Sequence, residues 1–146
     1  MDFITDRTQD HITLLKKIEA KGWASLTAYE RTVWYADAAK GAYNYTDLNR
    51  VETAVAELAP LFGMNLETKT DWGMWDIPRE ADMKRYLGNV AKIREHCGCV
   101  PNLPILPDTM NEFTYQSANN IEKILIIAYE VVDRPIRSGE IYSGEV

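Results

Sequence analysis

The sequence predicts an all-α protein, a bundle of about five helices followed by an extended C-terminal tail. Three observations support this prediction. Apolar residues recur at spacings of three and four in five separate segments, which is the period of an amphipathic helix. Residues that cap or break helices stand between these segments. Hydrophobic residues make up 46% of the 146 residues, which is enough for one domain with a buried core.

The first two helices are short, and they are predicted at 8–21 and 28–40. The first ends at Gly22, a residue type suited to the position just after a helix. In front of the second, Thr27 and Glu30 have the spacing of a capping box, in which each side chain bonds the backbone of the other residue.

The third, fourth and fifth helices carry the longest apolar stripes. The third is predicted at 47–59 and the fourth at 79–96. The fifth begins near Asn111 or Thr114 and continues to Val132. Each stripe spans about two heptads, which is too short for a stable isolated helix, so the three stripes are expected to pack together.

The remaining segments lack helical periodicity. Residues 64–77 are expected to follow an extended path, and three prolines within 99–110 favour a stiff connector. Pro135 is expected to stop the fifth helix. The chain then divides into a helical domain, 1–135, and an extended C-terminal arm, 136–146, which we expect to dock on a neighbouring chain.

Helices three to five resemble copies of one unit. Asp47, Asp82 and Ser117 are each 35 residues apart, and in that register the apolar positions of the three helices align. Some polar positions also match: Asn49 with Asn119, Arg50 with Arg85, and Glu52 with Glu122. We interpret the segments as an internal repeat; the alternative is a chance alignment of common heptad-like stripes.

The charge and hydropathy of the chain exclude several classes of function. The formal net charge is −6, and an acidic surface repels phosphate groups, so neither nucleic acid nor an anionic membrane is an expected partner. The longest apolar run has six residues, 124–129, far short of a bilayer span. Because residues 1–10 hold no apolar stretch, we expect no signal peptide and a soluble, intracellular protein.

His96, Cys97 and Cys99 could supply three ligands to a metal ion. Structural zinc needs four, and the other histidine, His11, is remote in sequence. Gly98 also serves as an ordinary helix stop. We therefore expect no metal or cofactor, and two reduced thiols.

Acid–base and nucleophilic chemistry have weak support. The nearest carboxylate pairs, Glu80 with Asp82 and Asp71 with Asp76, lie near a predicted helix start, where acidic residues are stabilising in any case. The glycines are scattered singly, so no phosphate-binding loop is present in the sequence. We expect no catalytic residues and no enzymatic activity.

Aromatic residues in connectors are the best candidates for a binding surface. Such residues anchor either their own domain or a partner, and both interpretations stay open. Arg50 has two interpretations as well, a recognition residue or an ion pair with Asp47 one turn earlier. The candidate interface residues are Trp23, Tyr43, Arg50, Trp72, Trp75, Ile141 and Tyr142.

Several different short motifs are distributed over most of the chain. They are Thr5-Asp6-Arg7-Thr8, Gly41-Ala42-Tyr43-Asn44, Thr46 to Glu52, Lys69-Thr70-Asp71-Trp72, Arg85-Tyr86-Leu87 with Asn89, Ala118 to Leu125, and Ser143-Gly144-Glu145. Together these motifs resemble helical modules of tail-associated and baseplate structural proteins of phages and prophages of Gram-positive bacteria.

The resemblance implies a non-enzymatic virion role as a tail, baseplate or adaptor component repeated by symmetry. Its partners would be other virion proteins and further copies of itself, first in the host cytoplasm and then in the particle. No catalytic residue transfers with the resemblance. The rival hypothesis is a bacterial cytosolic adaptor or regulatory module, and a third is an enzyme with a buried metal.

Overall fold

The structure, a computed structural model, describes residues 2–36 and 38–142. The chain is 64% helical, and no strand occurs among the described residues, which confirms the all-α prediction. The helices are α1 (Gln9–Lys21), α2 (Ala28–Ala36), α3 (Tyr45–Leu61), α4 (Glu80–His96) and α5 (Tyr115–Tyr142). No helix in the described ranges is long and apolar enough to cross a membrane.

Helices α3, α4 and α5 enclose the main core with their apolar stripes. The innermost positions are completely or almost completely buried in all three helices. These are Val51, Val55 and Leu58 on α3, Tyr86, Val90 and Ile93 on α4, and Ile121, Leu125 and Ala128 on α5. The apolar stripes seen in the sequence are therefore the faces that the helices bury against one another.

The three core helices also begin in the same way. Their N-cap residues, Asn44, Arg79 and Thr114, are 35 residues apart. Each N-cap backbone N–H donates to a side-chain oxygen three residues later, at 2.9 Å for Asp47 and Asp82 and 3.1 Å for the serine of α5. This bond satisfies one of the backbone donors that a helix start leaves unpaired.

Helices α1 and α2 form a second, smaller cluster around Ile18 and Leu26. The prediction of an α-helix at 28–40 is only partly correct, because α2 ends at Ala36 and a short 3-10 helix occupies Ala38–Gly41. That 3-10 helix passes close to α1. A Cβ on Gly41 would lie 2.8 Å from a backbone carbonyl oxygen of α1, so only glycine fits there.

Helix α5 is longer than the sequence pattern indicates. The predicted stop at Pro135 and the predicted extended arm are wrong for residues 136–142, because α5 continues to Tyr142. A proline removes one backbone hydrogen bond without preventing the helix from resuming, and α3 likewise contains Pro60. The part of the predicted arm at 143–146 lies outside the described residues.

Candidate functional site

Two extended segments of the chain lie against the core helices. We call residues 4–7 strap 1 and residues 69–72 strap 2. Strap 1 lies on α5 and strap 2 lies on α3. In both cases the helix holds the strap with an asparagine and a glutamate three residues apart, so that both side chains project from the same helix face. We call each such pair a clamp.

The clamp of α3 binds strap 2 through its backbone. Asn49 accepts from the N–H of Trp72 at 2.7 Å and donates to its carbonyl oxygen at 2.8 Å, as a neighbouring strand would. Glu52 accepts from the N–H of Lys69 at 3.1 Å and from the indole N–H of Trp72 at 2.6 Å. Arg85 on α4 donates to the same carboxylate, which raises the pKa of that guanidinium.

The clamp of α5 binds strap 1 with the same pattern. Asn119 accepts from the N–H of Arg7 at 3.1 Å and donates to its carbonyl oxygen at 2.8 Å. Glu122 accepts from the N–H of Ile4 at 2.9 Å and from the Arg7 guanidinium at 2.7 Å. The matching asparagine and glutamate positions noted in the sequence therefore have the same structural role in α3 and α5.

A buried charge cluster surrounds the guanidinium of strap 1. It contains Arg7 and Arg50 opposite Asp47 and Glu122, so the four formal charges cancel. Burial alone would lower the pKa of Arg50, but hydrogen bonds to Glu122 and Asp47 outweigh this effect and raise it. Among the described residues, the Nε of Arg7 has no hydrogen-bond partner.

Helix α4 has no such asparagine–glutamate pair, and the connector that follows it differs from strap 2 accordingly. Pro104 and Pro107 stand 35 residues after the first and last residues of strap 2. Proline has no backbone N–H, so it cannot donate to an asparagine or glutamate. At the two clamp positions α4 carries Lys84 and Leu87 instead. Arg94 holds the connector by donating to the carbonyl oxygen of Pro104 at 2.7 Å.

Two tyrosines meet beside the charge cluster. The hydroxyl groups of Tyr43 and Tyr86 hydrogen-bond each other, and the Tyr43 ring lies 5.4 Å from the Arg7 guanidinium carbon. Burial raises the pKa of both phenols above the ordinary value. Both groups are therefore kept neutral and serve packing and hydrogen bonding in the folded protein.

Tyr43 and Tyr86 are expected to make the free energy of unfolding fall at high pH. Unfolded tyrosine titrates near pH 10, whereas the folded pKa values are higher, so the stabilisation is fully present below pH 10 and is lost as the pH rises above it. We expect a loss of about 1.4 kcal/mol per pH unit for each buried tyrosine. Urea unfolding from pH 8 to 11 measures this slope.

The control for the alkaline slope is the double variant Tyr43→Phe with Tyr86→Phe. It removes both hydroxyl groups and so leaves no buried oxygen without its partner. We expect its stability to decline less steeply above pH 10 than that of the wild type. Equal slopes in the two proteins would contradict the tyrosine explanation.

Three exposed apolar residues lie in the segment that follows strap 2. In this segment, which we call the apolar loop (residues 74–77), the exposed fractions are 64% for Met74, 88% for Trp75 and 86% for Ile77. The loop borders an open groove of about 580 Å³. The apolar groove residues are Tyr43, Tyr45, Leu48, Trp72, Met74, Pro78, Met83, Met110 and Phe113.

The predicted interface residues have different environments. Trp75 lies in the apolar loop, and Trp23 is 49% exposed beside Trp34 and Tyr35. Trp72 is buried in the core. Tyr43 and Arg50 are half-buried and belong to the hydrogen-bonded network beside Arg7, and Tyr43 also lines the groove. The side chains of Ile141 and Tyr142 lie outside the described part of the chain.

The Arg50–Asp47 ion pair foreseen in the sequence is confirmed, at 2.5 Å. Met74 and Ile77 are exposed beside Trp75 but are not among the interface residues predicted from the sequence, although two apolar residues in a connector without helical periodicity are a usable signal.

The residues considered for metal or acid–base chemistry do not converge. Within the described residues, no three histidine, cysteine, aspartate or glutamate side chains are placed to share a metal ion. Cys97 is buried, Cys99 is exposed, and burial raises the pKa of the Cys97 thiol. The carboxylates of Asp76 and Asp82 accept backbone N–H groups of a turn and a helix cap, at 2.7 and 2.9 Å.

Comparison with protein families, curated proteins and solved structures finds no match for this chain. The functional argument therefore depends on the features described above. These are the two straps, each hydrogen-bonded to a core helix, and the exposed apolar loop with the groove beside it.

Proposed function

We propose that this chain is a non-enzymatic structural protein of a phage or prophage particle, a tail, baseplate or adaptor component. The observation that carries the proposal is the apolar loop, in which Met74, Trp75 and Ile77 are each more than 60% exposed. Contiguous exposed apolar residues mark protein interaction sites. The motif resemblance to tail-associated modules supports the same class of partner.

The apolar loop can contribute substantial binding energy. Covering a large apolar side chain that was exposed is worth about 1.5–3 kcal/mol. Tryptophan is among the residues most often found at the energetic centre of protein interfaces. Trp75 and Ile77, both almost fully exposed, would therefore dominate a contact that covers this loop and the groove beside it.

The loop is also held in place at both ends. On its N-terminal side, strap 2 is fixed to α3 through Trp72. Within the turn, the N–H of Gly73 donates to Asp76 at 2.7 Å, and on the C-terminal side the cap of α4 follows directly. A loop that is ordered before binding loses less conformational entropy when a partner covers it.

The proposal is tested by asking whether the chain enters particles through this loop. We expect Trp75→Asp and Ile77→Asp variants to be depleted from purified particles of the host strain, because each buries a charge in the contact. The matched control is Ile105→Asp, which changes a residue that is 76% exposed on another connector. Immunoblotting of gradient-purified particles gives the measurement.

Two results would overturn the virion role. One is absence of the wild-type chain from particles, which would favour the cytosolic adaptor instead. The other is equal incorporation of the loop variants and the control. Circular dichroism of each purified variant checks that the substitutions leave the helices intact.

A further inference from the structure

We propose that the clamp of α5 is a binding site for an extended, arginine-bearing peptide, and that a second copy of this chain supplies that peptide through its own strap 1. The site consists of Asn119 and Glu122 on α5 with Asp47 and Arg50 on α3. This proposal is independent of the assembly role proposed for the apolar loop, because the two surfaces share no residues.

The charges of the two clamps predict different ligands. In the α3 clamp, Glu52 is balanced by Arg85 from the neighbouring helix, and the strap adds a neutral tryptophan. In the α5 clamp, Glu122 is joined by a second carboxylate, Asp47, with only Arg50 opposite them. The empty α5 clamp would hold one uncompensated negative charge, so it requires a cation from its ligand.

Arginine matches this requirement in shape as well as in charge. One Nη2 atom of Arg7 lies 3.0 Å from Asp47 and 2.7 Å from Glu122, so a single guanidinium contacts both carboxylates. Asn119 accepts from the backbone N–H of Arg7 and donates to its carbonyl oxygen, which adds affinity for extended chain, and it also accepts from the Arg7 guanidinium at 3.4 Å. Together these contacts select an arginine in an extended segment.

Chain connectivity leaves this one site open to exchange. Strap 2 is joined to the end of α3 by the short segment 62–68, and the proline connector begins directly after α4. Each of these segments is therefore tied covalently to the helix that precedes it. Strap 1 is different, because Arg7 and Asn119 are 112 residues apart in sequence. Its contact with α5 is purely noncovalent, so the same segment of a second copy offers identical chemistry to the clamp.

The peptide-binding site is tested with a full-length chain whose own strap is disabled. Arg7→Glu places a third carboxylate in the cluster and should expel strap 1 from its clamp. The probe is a fluorescein-labelled peptide of residues 2–9, followed by anisotropy. We expect saturable one-to-one binding to the variant, and binding to the wild type weaker by roughly tenfold or more, because the wild-type strap competes.

The peptide with Arg7→Ala is the specificity control. It should bind the Arg7→Glu chain more weakly by roughly tenfold or more, since it lacks the cation that the clamp needs. Equal binding of the two peptides would overturn the proposal. If the Arg7→Glu chain does not fold alone, the measurement is its helical circular dichroism after peptide is added. Recovery with the wild-type peptide but not with the control peptide would support the proposal. No recovery with the wild-type peptide would contradict it.

The identity of the partner is tested by mixing two full-length variants. Arg7→Glu keeps the clamp and loses the strap, whereas Asn119→Ala keeps the strap and weakens the clamp. Light scattering should find each variant monomeric alone and a one-to-one dimer in the mixture. A mixture that stays monomeric, at concentrations where the peptide binds, would overturn the second copy as the ligand.

Discussion

Replacement of Glu122 by alanine is expected to lower the free energy of unfolding by about 3–5 kcal/mol. The carboxylate is fully buried and accepts from Arg7, from Arg50 and from the backbone N–H of Ile4. Its removal leaves two guanidinium groups with a single carboxylate in the core and an amide donor without a partner. Urea denaturation monitored by circular dichroism measures the change.

The matched control for Glu122 is Glu130→Ala, since Glu130 lies on the same helix and is exposed. We expect that variant to stay within about 0.5 kcal/mol of the wild type. Similar effects at the two positions would show that the charge cluster adds little to stability, and would remove the electrostatic basis of the α5 clamp as well.

Truncation of Trp72 to alanine should be comparably damaging, with an expected loss of about 3–5 kcal/mol. The ring is only 5% exposed, and its indole N–H donates to Glu52. The variant combines a core cavity with a buried carboxylate that has lost a donor. Trp75→Ala, three residues later and 88% exposed, should change stability by no more than about 0.5 kcal/mol.

The two tryptophan variants together separate folding from binding. Trp72→Ala should weaken the fold, whereas Trp75→Ala should leave unfolding unchanged and reduce particle incorporation. If Trp75→Ala destabilised the chain as strongly as Trp72→Ala, the apolar loop would be part of the core rather than a contact surface. Thermal unfolding of both proteins in the same buffer makes the comparison.

The sequence predicted the core helices well because each carries a regular apolar stripe. The stripe positions on α3, α4 and α5 are the buried ones. Apolar residues that repeat with the helical period lie on one face of the helix, and that face packs into the core. The sequence did not predict that α5 extends past Pro135, because a proline normally disrupts a helix interior. In the structure the residues on both sides of Pro135 stay helical.

The straps could not be predicted, for a different physical reason. An extended segment has no periodicity of its own, and its hydrogen-bond partners lie on helices that are distant in sequence. The asparagine and glutamate identities between α3 and α5 were visible, but nothing local indicates that their side chains bind backbone. For the same reason the sequence predicts Trp72 and Trp75 equally as interface residues. The position of strap 2 on α3 determines that Trp72 is buried and Trp75 is exposed.

The prolines between α4 and α5 also constrain how this chain could change over evolutionary time. If Leu87 alone became glutamate, a carboxylate would enter a buried position with no amide to bind. If Pro104 and Pro107 alone became other residues, the connector would gain two backbone donors, but α4 would still lack the asparagine and glutamate that bind strap 2 on α3. We therefore expect the two changes to be tolerated better together than singly, which would make the α4 unit and the connector that follows it epistatic.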